Sequence, residues 1–268
     1  IILKMGVAGG AWATVIFQGG SGLLCLFYMK KKFTVLKMQG DEWRPHKHSM
    51  MILCGMGIPM GLQYSITAIG SVILQTAVNT LGSVAVASVT AGGKIGTFFC
   101  CPFDAMGATM ATYGGQNVGA KKLDRISRGL RDCVLLGAIY SVIAFVVIYF
   151  FSDVIALLFV DASETEILHN TRTFLLENVS FYFPLALVNI VRFMIQGLGY
   201  SRLAILAGVC EMIARSAVAF WLVPVLGYDG ACLANPAAWI AADLFLIPAY
   251  LHVMKHLKYV VFSSKDVA

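Results

Sequence analysis

Charge is what this sequence has least of. Asp, Glu, Lys and Arg make up only 13 % of its 268 residues, against about 25 % in soluble domains. Hydrophobic residues account for 59 %, and the mean hydropathy is +0.79. A soluble fold of this length has no interior large enough for so much apolar surface, which points to a bilayer. The paired CxxC spacings of a zinc site are also lacking, and the seven cysteines fall in or beside apolar runs, as free buried thiols do. Enzymatic signatures are missing too: no His-rich cluster, no serine nucleophile elbow and no carboxylate pair at helical spacing within an apolar run. No basic leader with a small-residue cleavage site precedes the first apolar run. The chain opens Ile-Ile-Leu-Lys rather than with Met, which predicts a fragment.

The run from Ser49 to Gly93 contains no Asp, Glu, Lys, Arg or His. It is too long for one crossing of about 20 residues and must turn once. The break Asn79-Thr80-Leu81-Gly82-Ser83 supplies the turn. In all, seven apolar segments are long enough to cross as helices: Met5–Met29, Met51–Val78, Val84–Ala111, Cys133–Ser152, Phe174–Leu198, Leu203–Val225 and Ala231–Leu251. The fold class is therefore an all-α membrane protein.

The net charge of +6 does not point to nucleic acid, because the basic residues lie in short loops and not on one face. Loops on one side hold Lys30, Lys31, Lys32, Lys37, Arg44 and Lys47, then Lys121, Lys122, Arg125, Arg128 and Arg131, then Arg202, then Lys255, Lys258 and Lys265. The other side has only Lys4 and Arg172, and gathers Asp153, Asp161, Glu164, Glu166 and Asp229. The positive-inside rule places the first side, and the carboxyl terminus, in the cytoplasm.

Residues Met5–Leu24 align with Leu226–Phe245 at a constant offset, matching Gly6 to Gly227, Gly9 to Gly230, Ala13 to Ala234 and Leu23 to Leu244. If each copy closes a repeat, the second repeat holds six helices and the first begins upstream of Ile1. An even number of helices per repeat makes the halves parallel.

Several stretches carry a resemblance to a family: GVAGGAWATVI at Gly6, GIPMGLQYSI and QTAVNTLG between Gly57 and Gly82, ATYGGQNVGAKKLDRI at Ala111, MIQGLGYSR at Met194, GVCEMIAR at Gly208 and GYDGACLANPAAW at Gly227. With these the chain resembles the multidrug and toxin extrusion (MATE) transporters along essentially its whole length. The resemblance implies a twelve-helix, two-bundle transporter in the plasma membrane, with a central cavity and alternating access. It implies export of organic, often cationic, compounds in exchange for Na⁺ or H⁺, with no other cofactor. Residues 1–32 would be the last helix of the amino-terminal bundle, 33–50 a cytoplasmic linker, 51–258 the carboxyl-terminal six-helix bundle and 259–268 a cytoplasmic tail. The implied partners are the lipid bilayer, a small organic solute and the rest of the amino-terminal bundle. Some members bind the coupling ion through an acid on the first helix, which lies outside this sequence. Others use acids on the seventh and tenth helices, here Met51–Val78 and Phe174–Leu198, where only Glu177 is present.

Polar residues within the apolar spans are the candidate site residues. Lys94 is expected to face the bundle interior or a wet cavity, with snorkelling as the alternative. Asn189, Arg192 and Gln196 share one helical face that should point inward; Arg192 either snorkels, contacts a carbonyl or binds solute. Glu211 and Arg215, spaced i, i+4, form a structural ion pair or a charge relay. Asp243 is a protonatable group or an interhelical hydrogen-bonding one. Gln63, Thr67, Ser71 and Gln75 form a polar stripe, with Tyr64 beside it, that lines a cavity or glues helices. The Gly-rich stretch Gly114–Asp124 lacks the G-x-x-x-x-G-K-[ST] spacing of a phosphate loop. A tight cytoplasmic turn is expected instead, with Gly114, Gly115 and Gly119 turning the chain and Gln116 and Asn117 capping exposed backbone.

Two rival functions remain at this level. One is a flippase of the same superfamily, with Lys94, Arg192 and Arg215 as a cationic path for a lipid-linked phosphate. The other is a seven-helix receptor, against which the internal repeat argues.

Overall fold

Long charge-free runs give long helices, because backbone polar groups in a bilayer must be satisfied within their own segment. The computed structural model describes residues 6–33 and 45–263. Lys4, Lys37, Arg44 and Lys265, with most of the expected linker and the end of the tail, lie outside the described residues. The helices are α1 (Gly6–Lys32), α2 (Lys47–Asn79), α3 (Ser83–Gly119), α4 (Leu123–Ala156), α5 (Thr165–Ser180), α6 (Tyr182–Gly197), α7 (Ser201–Ala217), α8 (Val223–Leu226), α9 (Tyr228–Cys232) and α10 (Ala234–Ser263). A π-helical turn, Val218–Leu222, joins α7 to α8. Contacts group the chain into two units, Ile1–Leu53 and Cys54–Ala268.

Among the described residues, six helical stretches are long and apolar enough to cross a membrane, and the bent pair α5–α6 brings the count to seven. The expected single span Phe174–Leu198 is corrected here: it is two helices meeting at 53°, and it begins earlier, at Thr165. The break falls at Phe181, whose N–H bonds to the Asn178 carbonyl, three residues back and not four. Pro184 follows in the first turn of α6, where its missing N–H costs little. By contrast, α2 and α3 run on through Pro59 and Pro102.

The larger unit is built on α3. Lipid tails are as apolar as leucine, so helices in a bilayer associate by close packing of small residues. On α3 these are Gly92, Gly107 and Gly114: a methyl added at each would meet Phe174, Phe193 and Met194 at 2.5, 2.6 and 2.7 Å. α5 and α6 therefore lie directly against α3. Rings then tie four helices together, with Phe103 edge-on to Tyr140 at 5.1 Å and to Tyr182 at 5.7 Å, and Tyr182 edge-on to Trp239 at 6.2 Å. Tyr140 adds a hydrogen bond from its hydroxyl to the Phe99 carbonyl at 3.0 Å. On α2, Gly70 and the facing Gly208 of α7 let those helices approach, with Met212 and Gln63 filling the contact.

The outward face is apolar, as lipid requires. On α4, Leu135, Val142, Ile143 and Phe150 are exposed while Ile126, Ala144 and Ile148 are buried. Of the cysteines, all free, Cys133 and Cys232 are buried whereas Cys25, Cys54 and Cys101 are exposed. The expectation that all would be buried is corrected for these three.

Candidate functional site

Each of the inner helices carries a few polar side chains, and the fold brings them to one seam. From α6, Asn189, Arg192 and Gln196 are all buried, because α6 is enclosed by α3, α4, α7 and α10. Arg192 makes an ion pair with Glu211 of α7. Arg215 Nη1, one turn further along α7, lies 3.6 Å from the other oxygen of Glu211. One carboxylate thus sits between two guanidiniums. The expectations for Arg192 of snorkelling or a carbonyl contact are corrected, since its partner is Glu211.

The seam reaches α2 twice. Gln196 donates from Nε2 to Gln63 Oε1 at 2.7 Å, and Arg215 Nη1 donates to the Thr67 carbonyl at 3.4 Å. Gln63 is buried with the seam, while Tyr64 is 58 % exposed. Arg192 is within electrostatic reach of Tyr64 and of Asp243 on α10. Asp243 is 8 % exposed, and its Oδ1 is buried without a hydrogen-bond partner. The Thr67 hydroxyl, Arg192 Nε, Gln196 Oε1 and Arg215 Nε share that condition. Donors and acceptors with capacity to spare are the chemistry of a polar binding or relay site within a bilayer.

Not all of the expected stripe joins the seam. Ser71 and Gln75 are exposed; Ser71 bonds back to the Thr67 carbonyl at 3.2 Å and Gln75 to Asn79 at 3.0 Å. Asn189 donates to the Leu185 carbonyl at 3.2 Å, within its own helix.

Lys94 lies apart from the seam. Its side chain is exposed, not in the bundle interior, and borders a cavity of about 400 Å³ shared with Phe159, Asp161 and Glu164. Asp161 accepts from the Ser163 N–H at 3.1 Å and its hydroxyl at 3.0 Å. These bonds hold its carboxyl below the usual range, so it is a carboxylate at neutral pH.

The Gly-rich stretch also departs from expectation. Gly115, Gln116, Asn117 and Gly119 belong to the last turns of α3 and do not form a loop. Asn117 Nδ2 bonds to the Tyr113 carbonyl at 2.8 Å instead of capping a terminus, and Gln116 is exposed. The turn comes after them. Lys121 N–H bonds to the Val118 carbonyl and Lys122 N–H to the Asn117 carbonyl, with Lys121 at φ 56°. That is a Schellman closure with lysine in the left-handed position usually held by glycine. Helix α6 ends the same way, with Gly199 at φ 93° and the Tyr200 N–H on the Ile195 carbonyl.

Sequence reasoning missed one further acid's setting. Glu177 Oε2 is buried without a partner, near Asn178, which accepts from Asn235 Nδ2 at 3.1 Å. Nothing local in the sequence signals the contact between Asn178 and Asn235, 57 positions apart. Among the described residues, no group of three or more His, Cys, Asp or Glu is placed to hold a metal ion.

Comparison with known proteins places this architecture. The chain is similar to the probable multidrug resistance protein YpnP of Bacillus subtilis (strain 168), at 25 % identity over 226 residues, covering 83 % of this chain and 47 % of that protein. It is also similar to the probable multidrug resistance protein YoeA of the same organism, at 26 % identity over 165 residues, covering 60 % and 36 %. The chain thus spans less than half the length of these relatives. Among solved structures it matches the outward-facing conformation of a MATE family multidrug resistance transporter of the MOP superfamily, with TM-score 0.87 at 17 % identity, covering 96 % of this chain and 58 % of the other. The inward-facing conformation of such a transporter matches with TM-score 0.72 at 18 % identity, covering 96 % and 60 %. The MatE family profile matches residues 59–221, more than half of the chain, which therefore belongs to the MatE family, the multidrug and toxin extrusion transporters.

Proposed function

We propose that the chain forms the carboxyl-terminal part of a secondary active exporter that moves organic, often cationic, solutes out of the cell in exchange for Na⁺ or H⁺. The observation that carries this reading is the buried seam of Gln63, Arg192, Gln196, Glu211, Arg215 and Asp243, which spans four helices within a transporter-family bundle. A bilayer tolerates such groups where they serve a path or a binding site. The solute enters beside α2, the helix that carries both buried Gln63 and exposed Tyr64. Ion binding must favour one conformation over the other to drive the cycle. The working protein pairs this bundle with the amino-terminal one, its carboxyl terminus faces the cytoplasm and it catalyses no covalent reaction.

The lipid-flippase reading draws less support. A phosphate needs a guanidinium charge that no carboxylate already balances, and both arginines of the seam are paired with Glu211. Lys94 lies beside two acids. The test uses vesicles containing the full-length transporter, loaded with ethidium and given an imposed H⁺ or Na⁺ gradient. The exporter reading expects gradient-dependent ethidium movement. Gradient-independent leakage, or movement of a labelled lipid-linked phosphate without ethidium, would contradict it.

A further inference from the structure

The seam contains four ionisable groups in balance. Arg192 and Arg215 carry two positive charges, and Glu211 and Asp243 can carry two negative ones. They are not equivalent. Glu211 is fixed by both arginines, while Asp243 keeps one carboxylate oxygen buried and free of any hydrogen bond.

We propose that Asp243 is the proton-binding group of this bundle, and that its protonation and the binding of a cationic solute beside α2 exclude each other through Arg192. This rests on the exporter reading and names its coupling ion. A proton needs only the one free oxygen of Asp243. A sodium ion needs a shell of several oxygen ligands, and here guanidinium donors occupy the neighbourhood. The charged group in electrostatic reach of Asp243 is Arg192 from α6, and Arg192 in turn faces Glu211 and Arg215 from α7 and Tyr64 from α2 at the outer edge. Within one turn either way, α10 adds no titratable side chain.

With Asp243 ionised the seam is neutral and admits a cation nearby. With Asp243 protonated it carries one net positive charge in a low-dielectric setting and repels the same cation. Arg192, in reach of both Asp243 and exposed Tyr64, conveys that change to the α2 surface. Two ligands that each weaken the other's binding constitute exchange, and the effect is reciprocal.

The experiment measures tetraphenylphosphonium binding to the purified full-length transporter across pH. Affinity is expected to fall by roughly 5- to 150-fold, the usual span of a coupling between two sites, as Asp243 takes up its proton. Binding at the titration midpoint should release protons, and a carboxylic acid band in the infrared difference spectrum should disappear. Asp243→Asn is expected to give a flat profile at the weak limit, and Asp243→Glu a restored but displaced one. Unchanged pH dependence in Asp243→Asn would overturn the proposal. So would displacement of the probe by Na⁺ and not by acid, a readout on unmodified protein that does not depend on the variant folding. If the transporter exports ethidium and either of these results is found, only this inference fails. If it neither binds the probe nor moves ethidium, the exporter reading fails with it.

Discussion

Removing one charge from a buried set costs most when it leaves like charges facing each other. Glu211→Gln leaves Arg192 and Arg215 opposed at membrane depth, so it should destabilise the protein by about 3–5 kcal/mol, as an unpaired buried charge does. Arg215→Gln leaves the Arg192–Glu211 pair intact and should cost roughly a third of that, mainly the loss of one hydrogen bond to a charged group. Thermal melts followed by size-exclusion of the detergent-purified transporter would show the order; equal shifts would mean that Glu211 does not balance both arginines. The i, i+4 spacing of Glu211 and Arg215 was legible in the sequence. The Arg192–Glu211 pair was not, since those residues lie 19 positions apart on helices whose relative rotation is set by the turn at Gly199. Counting charges on consecutive spans would have hinted at it, because two arginines on successive helices need an acid between them.

At the scale of helices, the glycines that matter most are those at close helix contacts, which no local pattern in the sequence announces. Gly197 was not singled out by any turn or capping pattern, yet a methyl there would lie 2.2 Å from the Ala111 carbonyl oxygen. Backbone cannot yield as a flexible side chain can, so Gly197→Ala should force α6 off α3 and cost about 3 kcal/mol, the upper part of the overpacking range. Lys121 offers the opposite change. Its left-handed conformation costs a non-glycine residue roughly 1–2 kcal/mol, partly offset by the greater unfolded-state freedom glycine would bring, about 0.5–1 kcal/mol. Lys121→Gly should therefore raise the melting temperature slightly, and a fall would argue against the Schellman closure of α3. The spans themselves were legible because charge-free runs have no other stable form in a bilayer. The break at Phe181 was not, because a bend between two short helices depends on how each packs against α3. Pro184 was its only local sign.

At the scale of the whole molecule, the family motifs spread over both ends of the chain identified the architecture, whereas the seam needed four helices in register before it existed. Alternating access predicts that the surface beside the seam meets water and solute during the cycle. Tyr64 is the residue to test. It is exposed, it belongs to α2 beside buried Gln63, and a lipid-facing or a cavity-facing position would leave it equally uncovered in this chain. The most direct measurement replaces the native cysteines of the full-length transporter, introduces Tyr64→Cys and follows its reaction with a charged, membrane-impermeant thiol reagent. The exporter account predicts modification whose rate changes with the imposed ion gradient and falls when ethidium is present. A cysteine that never reacts, or reacts at a rate that neither gradient nor ethidium alters, would place α2 against lipid and contradict the account.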